Sequence, residues 1–161
     1  MEALTPDHVQ TALNALNLGI TIHFFPHSTA TSPLAADAIG CEIGQIAKSL
    51  CFLVHDQPIL VIAAGDQRID DRKLATLLGV TRKQVKFATP AQCLEHFGYA
   101  PGGVPPIAHR RRPHAVYLDA SLKRYTQIYP AGGSSNAIFG ITLAQLVQLS
   151  GGTFADVKRD T

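Results

Sequence analysis

The N-terminal part of the chain carries two helical signals. Thr5 and Pro6 are the residue types expected at an N-cap and at a first helical position. Apolar residues then recur at helical spacing, which predicts a helix over about residues 6–17. A second, shorter helix is expected from Ser32, which precedes a proline, to Gly40, a typical helix-ending residue.

Strand patterns lie on either side of that second helix. Positions 20–25 alternate as a strand does, with the even-numbered residues on one apolar face. Residues 47–54 and 58–64 are almost wholly apolar and are separated by the turn-like residues 55–57. The simplest interpretation of these two runs is a pair of buried strands joined as a hairpin.

The remaining chain continues to mix both kinds of element. Capping residues and closing glycines predict helices at 70–79 and 89–98. Four prolines and two glycines between residues 99 and 113 indicate a structured loop. Short strands, a last helix and an edge strand should follow, at 115–118, 126–129, 137–141, 142–152 and 153–157.

This order of elements lacks the regular alternation of a parallel sheet with crossover helices. It predicts an α+β fold: one compact domain over residues 1–161, with a curved, mixed and mostly antiparallel sheet packed by helices. The composition, 46% hydrophobic and 16% charged, is that of a globular protein with a sizeable core. A net charge of +2 implies that a nucleic-acid partner would meet a local basic patch.

Cysteine usage and the apolar runs bear on location. Cys41, Cys51 and Cys93 are odd in number and show no CxxC spacing, so we expect free thiols in a cytoplasmic protein. The chain starts without the basic and apolar segments of a signal peptide. Its apolar runs are also too short to span a bilayer. We therefore expect a soluble protein that is not exported and has no membrane partner.

Common active-site motifs are missing from the sequence. Gly40, Gly44 and Lys48 approach a P-loop, but that motif needs a glycine immediately before the lysine. Neither GxGxxG nor GxSxG occurs, so a dinucleotide site or a serine-hydrolase elbow has no support. The seven histidines show no metal-ligand spacing. We expect neither a metal nor a cofactor.

Two features could take part in chemistry. Lys48 places a cation in an apolar strand, which is costly unless the amine reaches solvent or an anion. The loop Gly102–Pro106 combines glycines, which allow close approach of a ligand, with prolines, which stiffen the backbone. It could present N–H groups to a carbonyl or phosphate oxygen. The alternatives are a lysine at a strand end and an ordinary connecting loop.

Two further segments could contribute polar groups. Gly132–Asn136 is a second loop that could offer backbone donors, or a simple hairpin turn. Arg110, Arg111 and Arg112 lie between the two loops along the chain. They could contact RNA phosphates or form a solvated charged surface.

Taken together, these segments resemble the YbaK/EbsC family, relatives of the editing domain inserted in bacterial prolyl-tRNA synthetase. The resemblance covers nearly the whole chain, and the order and spacing of its motifs fit. The matching stretches are Ser28–Thr31, Gly44–Leu50, Gly98–Pro106 and Ala131–Gly133.

The resemblance implies a single domain with a central mixed sheet that hydrolyses misacylated tRNA in trans. It implies that Lys48 contacts the aminoacylated tRNA end, that the Gly102–Pro106 loop shapes the amino-acid pocket and holds the ester, and that Gly132 and Gly133 line the opposite side. Such enzymes use neither a metal nor a covalent nucleophile, and the terminal ribose hydroxyl of the substrate helps to activate water.

We therefore expect catalytic roles for Lys48 and Gly103. Phosphate contacts with tRNA are expected from Arg110, Arg111 and Arg112. Substrate-binding roles are expected for a larger set, drawn from both loops and the start of the second helix: Thr31, Gly102, Val104, Pro105, Pro106, Gly132, Gly133 and Ser134.

Three departures from the family bear on the substrate. Some members have Ser in place of Pro105, Tyr in place of Phe25 and Asp in place of Ile138. These positions affect which amino acid is removed and leave Lys48 and the glycines untouched. The expected substrate is a proline tRNA carrying Ala, Ser or Cys, with prolyl-tRNA synthetase as a candidate partner. A non-catalytic module that binds the tRNA end or a synthetase is the alternative.

Overall fold

Nine strands and five α-helices, joined by loops and by short 3₁₀ and π segments, form residues 1–160, the part of the chain that the computed structural model describes. The helices are α1 (Pro6–Ala15), α2 (Ser32–Ile39), α3 (Asp71–Leu78), α4 (Pro90–Gln92) and α5 (Leu143–Ser150). The strands are β1 (His23–Phe24), β2 (Ile46–Val54), β3 (Gln57–Ala64), β4 (Lys86–Phe87), β5 (Ala115–Asp119), β6 (Gln127–Pro130), β7 (Ala137–Ile138), β8 (Ile141–Thr142) and β9 (Thr153–Ala155). None of the helices in this range has both the length and the apolar character needed to cross a bilayer.

The β2–β3 hairpin forms the centre of the main sheet. The two strands pair antiparallel along eight residue pairs, from Ala47 opposite Ala64 to Val54 opposite Gln57. His55 and Asp56 make the turn with φ of 51° and 61°. Such left-handed conformations at both central residues are those of the two-residue turns whose twist matches that of paired strands. The predicted hairpin is confirmed.

The sheet extends from the hairpin in both directions. Its order is β8-β6-β2-β3-β5-β9, with β4 also paired to β2, while β1 and β7 form a separate two-stranded sheet. Within residues 1–160, four of the seven pairings are antiparallel and three are parallel. The expected α+β class with a mixed sheet is confirmed, and in the main sheet three pairings are antiparallel and three are parallel.

The helices begin and end where their capping residues predict. Thr31, Asp70 and Thr142 each accept a hydrogen bond from the first turn of α2, α3 and α5 through the side chain. The glycine after each of these helices adopts a left-handed φ, between 65° and 81°. The helix predicted over residues 89–98 differs in detail. A single α-turn, α4, passes into a π-turn at Cys93–Phe97 and ends at Gly98.

Two predicted strands are shorter than their patterns suggest. The strand expected over 20–25 is regular only in β1, and Phe24 is 61% exposed. The side-chain amide of Gln10 takes the place of a neighbouring strand there, because it donates to the carbonyl of Ile20 (2.8 Å) and accepts from the amide of Ile22 (2.9 Å). The strand expected over 137–141 divides, because β7 pairs with β1 and β8 pairs with β6.

Side chains of the hairpin alternate between two cores. Ala47 and Cys51 point into the larger one, which includes residues of α1 and α5. Phe52 and Val54 point into the other, which is covered by Leu74 and other residues of α3. A strand buried on both faces needs apolar residues at every position, and this is why β2 and β3 appear as continuous apolar runs in the sequence.

A buried carboxylate joins the C-terminal segment to the sheet. Asp119 is 0% exposed, and its Oδ2 accepts from the amide (3.0 Å) and the hydroxyl of Ser121. Its Oδ1 accepts from the amide of Val157 at 3.0 Å. All the donors that it satisfies are therefore left without an acceptor if the side chain is removed.

We expect Asp119→Ala to lower the free energy of unfolding by about 3 kcal/mol, since unsatisfied buried donors are costly. Urea unfolding of the purified protein measures this. Asp37→Ala, at an exposed position of α2, is the matched control and should cost less than about 0.5 kcal/mol. Equal losses in the two variants would show that Asp119 does not hold the C-terminal segment.

Candidate active site

A cleft of about 220 Å³ lies where one edge of β2 is left unpaired. On the side away from β3, strand β6 pairs only with Ile46 and Ala47, and β4 pairs only with Phe52 and Leu53. The stretch from Lys48 to Leu50 between them lines the cleft. The carbonyl of Cys51 faces this side, where it accepts from Ala88 at 2.9 Å. Because peptide groups alternate along a strand, those of Ser49 face the cleft too.

Three other segments close the cleft around this strand edge. The chain leading into α2 provides one wall, the Gly102–Pro106 loop a second, and the end of β6 with β7 a third. The lining residues are Thr29, Ala30, Thr31, Ser32, Ala35, Ile46, Ala47, Lys48, Ser49, Leu50, Gly102, Val104, Tyr129, Ala131 and Ile138. Larger cavities, of about 650 and 750 Å³, lie elsewhere. The cleft is the candidate because Lys48 and the Gly102–Pro106 loop converge on it.

Lys48 is half-buried in the cleft, and its amine donates to the carbonyl of Gln67. Burial, and secondarily the nearby guanidinium of Arg68, lower the pKa of this amine, while Asp66 acts in the opposite sense. The carboxylate of Asp66 is itself held by both ends of the Arg124 guanidinium, at 2.7 and 2.9 Å. It is therefore only partly available to balance the charge of Lys48, and an anion or a polarised oxygen would be favoured beside the amine.

The Gly102–Pro106 loop reaches the cleft through two of its residues. Gly102 has φ of 88°, and a Cβ at this position would lie 2.9 Å from the Cβ of Ala30 across the cleft. Val104 is 2% exposed and also lines the cleft. The amide of Gly103 donates to Ala100 at 3.1 Å, whereas those of Gly102 and Val104 donate no hydrogen bond within residues 1–160. These two amides are the donors that this loop can offer to a ligand.

The second glycine loop supports the first from behind. The amide of Gly133 donates to the carbonyl of Gly103 at 3.0 Å, and that of Gly132 donates to Ala137 at 2.7 Å. Of the two interpretations of this segment, the structure favours a turn, because both amides already have acceptors; substrate-binding roles for Gly132 and Gly133 stay predictions. Neither glycine lines the cleft, and Ala131 occupies that wall instead.

The other expected substrate contacts divide in the same way. Thr31 lines the cleft, while its hydroxyl accepts from the amide of Leu34 and so caps α2. Ser134 lies outside the lining, with its hydroxyl 2.8 Å from Oδ1 of Asn136. Pro105 and Pro106 are buried on the far side of the loop, where Pro106 borders the cavity of about 650 Å³.

The three consecutive arginines are not equivalent. Arg110 is turned inward, where its Nε donates to Leu94 (3.2 Å) and its terminal nitrogen to Glu2. Arg111 and Arg112 are exposed, and Arg112 borders the same cavity as Pro106. This placement favours Arg111 and Arg112 over Arg110 for contacts with phosphates.

Ser49 is a polar group of the cleft that the sequence motifs did not single out. Its hydroxyl oxygen is buried and has no hydrogen-bond partner within residues 1–160. A hydrophilic residue interrupting an otherwise apolar strand was the available signal. Successive side chains of a strand point to opposite faces, so Lys48 is not placed to deprotonate its neighbour.

The lining residues include no carboxylate and no imidazole. In addition, no three His, Cys, Asp or Glu side chains of residues 1–160 are grouped to hold a metal ion. What the cleft does offer is a cation, unpaired amides, a hydroxyl and small apolar walls. Such groups can position a reactive ester and polarise its carbonyl for attack by water.

Comparison with known proteins decides the family. The sequence model of the aminoacyl-tRNA editing domain matches residues 27–149, a range that contains Lys48 and both glycine loops. This chain belongs to that family. The editing enzyme hydrolyses the ester of a mischarged aminoacyl-tRNA, and the resemblance to the YbaK/EbsC family is confirmed. The catalytic interpretation is thereby favoured over a non-catalytic binding module.

Individual relatives agree with this assignment. This chain is 38% identical to the uncharacterized protein YwhH of Bacillus subtilis over 143 residues, which is 88% of each chain. It is also 40% identical over 76 residues to the proline–tRNA ligase of Thermodesulfovibrio yellowstonii. This match covers 47% of this chain and 13% of the ligase. The corresponding ligase of Lactiplantibacillus plantarum is 33% identical over 63 residues, and the match spans 11% of its length.

Two solved structures have the same fold over nearly their whole length. One is provisionally assigned as a trans-editing enzyme for prolyl tRNA synthetase, with a TM-score of 0.89, 36% identity and coverage of 96% of this chain and 97% of the other. The other is the hypothetical protein APE2540, with a TM-score of 0.83, 28% identity and coverage of 94% and 99%.

The contact between the two glycine loops can be tested. A Cβ at Gly103 would lie 2.9 Å from the carbonyl carbon of Ser134, and backbone cannot move aside as a flexible side chain does. We expect Gly103→Ala to cost about 1–3 kcal/mol of stability and to speed amide hydrogen exchange across residues 132–136. Gly40→Ala is the control, because its left-handed φ adds backbone strain where no atom lies within 4 Å. Unchanged exchange in Gly103→Ala would refute the close contact.

Proposed function

We propose that this editing enzyme removes a small amino acid, alanine in the first place and also serine or cysteine, from mischarged proline tRNA. The observation that carries the proposal is the size and position of the cleft. Its volume of about 220 Å³ is below the roughly 300–1,000 Å³ of typical small-molecule pockets. A cleft of this size suits an aminoacyl group better than a cofactor or a nucleotide.

The walls of the cleft support a small side chain. Ala30, Ala35 and Ala131 contribute methyl groups only, while Val104 and Ile138 add bulkier apolar surface. Discrimination between two small residues is limited to about 1–3 kcal/mol per methylene, so alanine, serine and cysteine should all enter. Prolyl-tRNA, the correctly charged product, is expected to be excluded by its ring and by its secondary amine.

In the proposed mechanism, Lys48 contacts the aminoacylated end of the tRNA. The unpaired amides of Gly102 and Val104 face the ester carbonyl and stabilise the oxyanion that forms when water attacks. The resemblance to the family implies that the terminal ribose hydroxyl of the substrate helps to activate this water. Gly103 acts indirectly in this scheme, by holding the loop against the backbone of Ser134.

The tRNA body lies outside the cleft in this proposal. Arg111 and Arg112 are exposed and supply the phosphate contacts, with Arg110 in a supporting structural role. We further infer that the enzyme acts in the cytoplasm alongside prolyl-tRNA synthetase. This inference is supported by the proline–tRNA ligases among its relatives and by the solved trans-editing neighbour.

The role of Lys48 predicts a large effect of its removal. Lys48→Ala should lower kcat/KM for proline tRNA mischarged with alanine by about 100-fold. Loss of one preorganised contact to a developing charge has an effect of this size. Deacylation of radiolabelled substrate at subsaturating concentration measures the rate. Lys83→Ala removes an exposed lysine of equal charge and should have no such effect. A wild-type rate in Lys48→Ala would exclude Lys48 from the mechanism.

The size of the cleft predicts a second effect. Ala131→Val adds two methyl groups to the lining, and we expect hydrolysis of alanyl-tRNA to fall about 10- to 100-fold, consistent with the free energy associated with a methylene in a tight pocket. Ala144→Val, at an exposed position of α5, provides the control. If Ala131→Val cleaves proline tRNA mischarged with alanine as fast as the parent enzyme does, the amino acid binds outside this cleft.

A further inference from the structure

We propose that His109 is a positioning residue, whose imidazole fixes the Gly102–Val104 wall of the cleft by holding the carbonyl of Pro105 from behind. The contact is short, with Nε2 of His109 at 2.7 Å from the carbonyl oxygen of Pro105. A carbonyl oxygen only accepts, so Nε2 carries the proton. The inference rests on the proposed function for its catalytic consequence, and on geometry alone for its structural one.

The bond completes a pair that flanks Val104. On one side of this residue, the carbonyl of Gly103 accepts from the amide of Gly133 at 3.0 Å. On the other side, the carbonyl of Pro105 accepts from His109. Val104 lies between the two anchored carbonyls and lines the cleft. The direction of its unpaired amide therefore depends on both anchors.

The imidazole is held in one place by its surroundings. The ring meets that of Phe97 edge-on, with centroids 5.6 Å apart and an interplanar angle of 90°. Phe97 is 0% exposed, so it cannot move aside readily. Burial lowers the pKa of His109, while the hydrogen bond to Pro105 opposes that shift. The neutral ring, protonated at Nε2, is thus the form that makes the contact near neutral pH.

The backbone before His109 adopts an uncommon conformation that aims the ring at the loop. Ala108 has φ of 67°, a value that residues with a side chain seldom adopt unless neighbouring contacts enforce it. The enforcing contact is Tyr99, which is 1% exposed and donates from its hydroxyl to the carbonyl of Ala108 at 2.8 Å. Burial raises the pKa of Tyr99 to about 12, so the hydroxyl remains a donor across the working pH range.

Loss of the imidazole would release the loop. Pro105 is buried, and its carbonyl would be left without a hydrogen-bond partner, which destabilises this position of the loop. The loop should then shift to find a new donor, and displacement of catalytic groups by about 1 Å can slow a reaction about 100-fold. His109 itself does not line the cleft, so any effect on the reaction must pass through the loop.

Two variants with the same amide group at different reach separate positioning from the mere presence of a polar side chain. In His109→Gln the side-chain nitrogen lies as many bonds from Cβ as Nε2 does, so the bond to Pro105 can form again. In His109→Asn the nitrogen is one bond short. We expect His109→Asn and His109→Ala to lower kcat for proline tRNA mischarged with alanine about 10- to 100-fold, with little change in KM. His109→Gln should restore most of the rate. His109 and His114 both border the cavity of about 650 Å³, and His114 is exposed, so His114→Ala is the control and should behave as the parent enzyme.

Amide hydrogen exchange of Gly103 and Gly133, whose amides donate to carbonyls of this loop segment, provides a readout in the substrate-free protein that is independent of catalysis. We expect faster exchange in His109→Asn and His109→Ala than in the parent enzyme, and slow exchange in His109→Gln. Equal amide exchange and equal deacylation rates in His109→Gln and His109→Asn would overturn the proposal. If no variant, nor the parent enzyme, hydrolysed alanyl-tRNA, the proposed substrate would be wrong, while the exchange data would still decide the role of His109. If His109→Ala does not fold, the comparison of His109→Gln with His109→Asn still tests the role of His109.

Discussion

The site depends on a mismatch between the length of β2 and that of its neighbours. Eight of the nine residues of β2 pair with β3, but on the other side β6 and β4 reach only the two ends of β2. Unpaired peptide groups within a sheet need other partners. In this enzyme the gap opens as a cleft, and the centre of a rigid hairpin therefore becomes the floor of an active site.

The loop wall of this gap is held by contacts outside the gap. The two glycine loops pack back to back, with the backbone of Ser134 where a side chain of Gly103 would stand. Tyr99 and His109 hold the next part of the same segment. Catalytic loops need this support, because an unsupported loop of glycines has too many conformations to fix a donor in one direction.

The charge arrangement has a comparable logic. Asp66 binds Arg124 through both carboxylate oxygens, and Lys48 is left with a backbone carbonyl as its hydrogen-bond partner. An amine that was fully paired with a carboxylate would have to break that pair before it could bind substrate. The editing enzyme thus keeps a partly desolvated cation next to a small apolar pocket, which is an arrangement that strengthens contact with an anion or an ester oxygen.

The sequence by itself determined the elements with local causes. Capping residues and glycines located α2, α3 and α5, and continuous apolar runs located the hairpin, because these signals act within a few residues. It also indicated Lys48 and the two loops. Only the tertiary structure decided how these groups are used. It used the side chain of Gln10 to bind the first part of the strand predicted over 20–25, engaged the amides of Gly132 and Gly133, turned Arg110 inward and brought Ser49 into the cleft. Apart from the bond between Gly132 and Ala137, these outcomes depend on partners at least ten residues away along the chain, and short-range pattern carries no information about such partners.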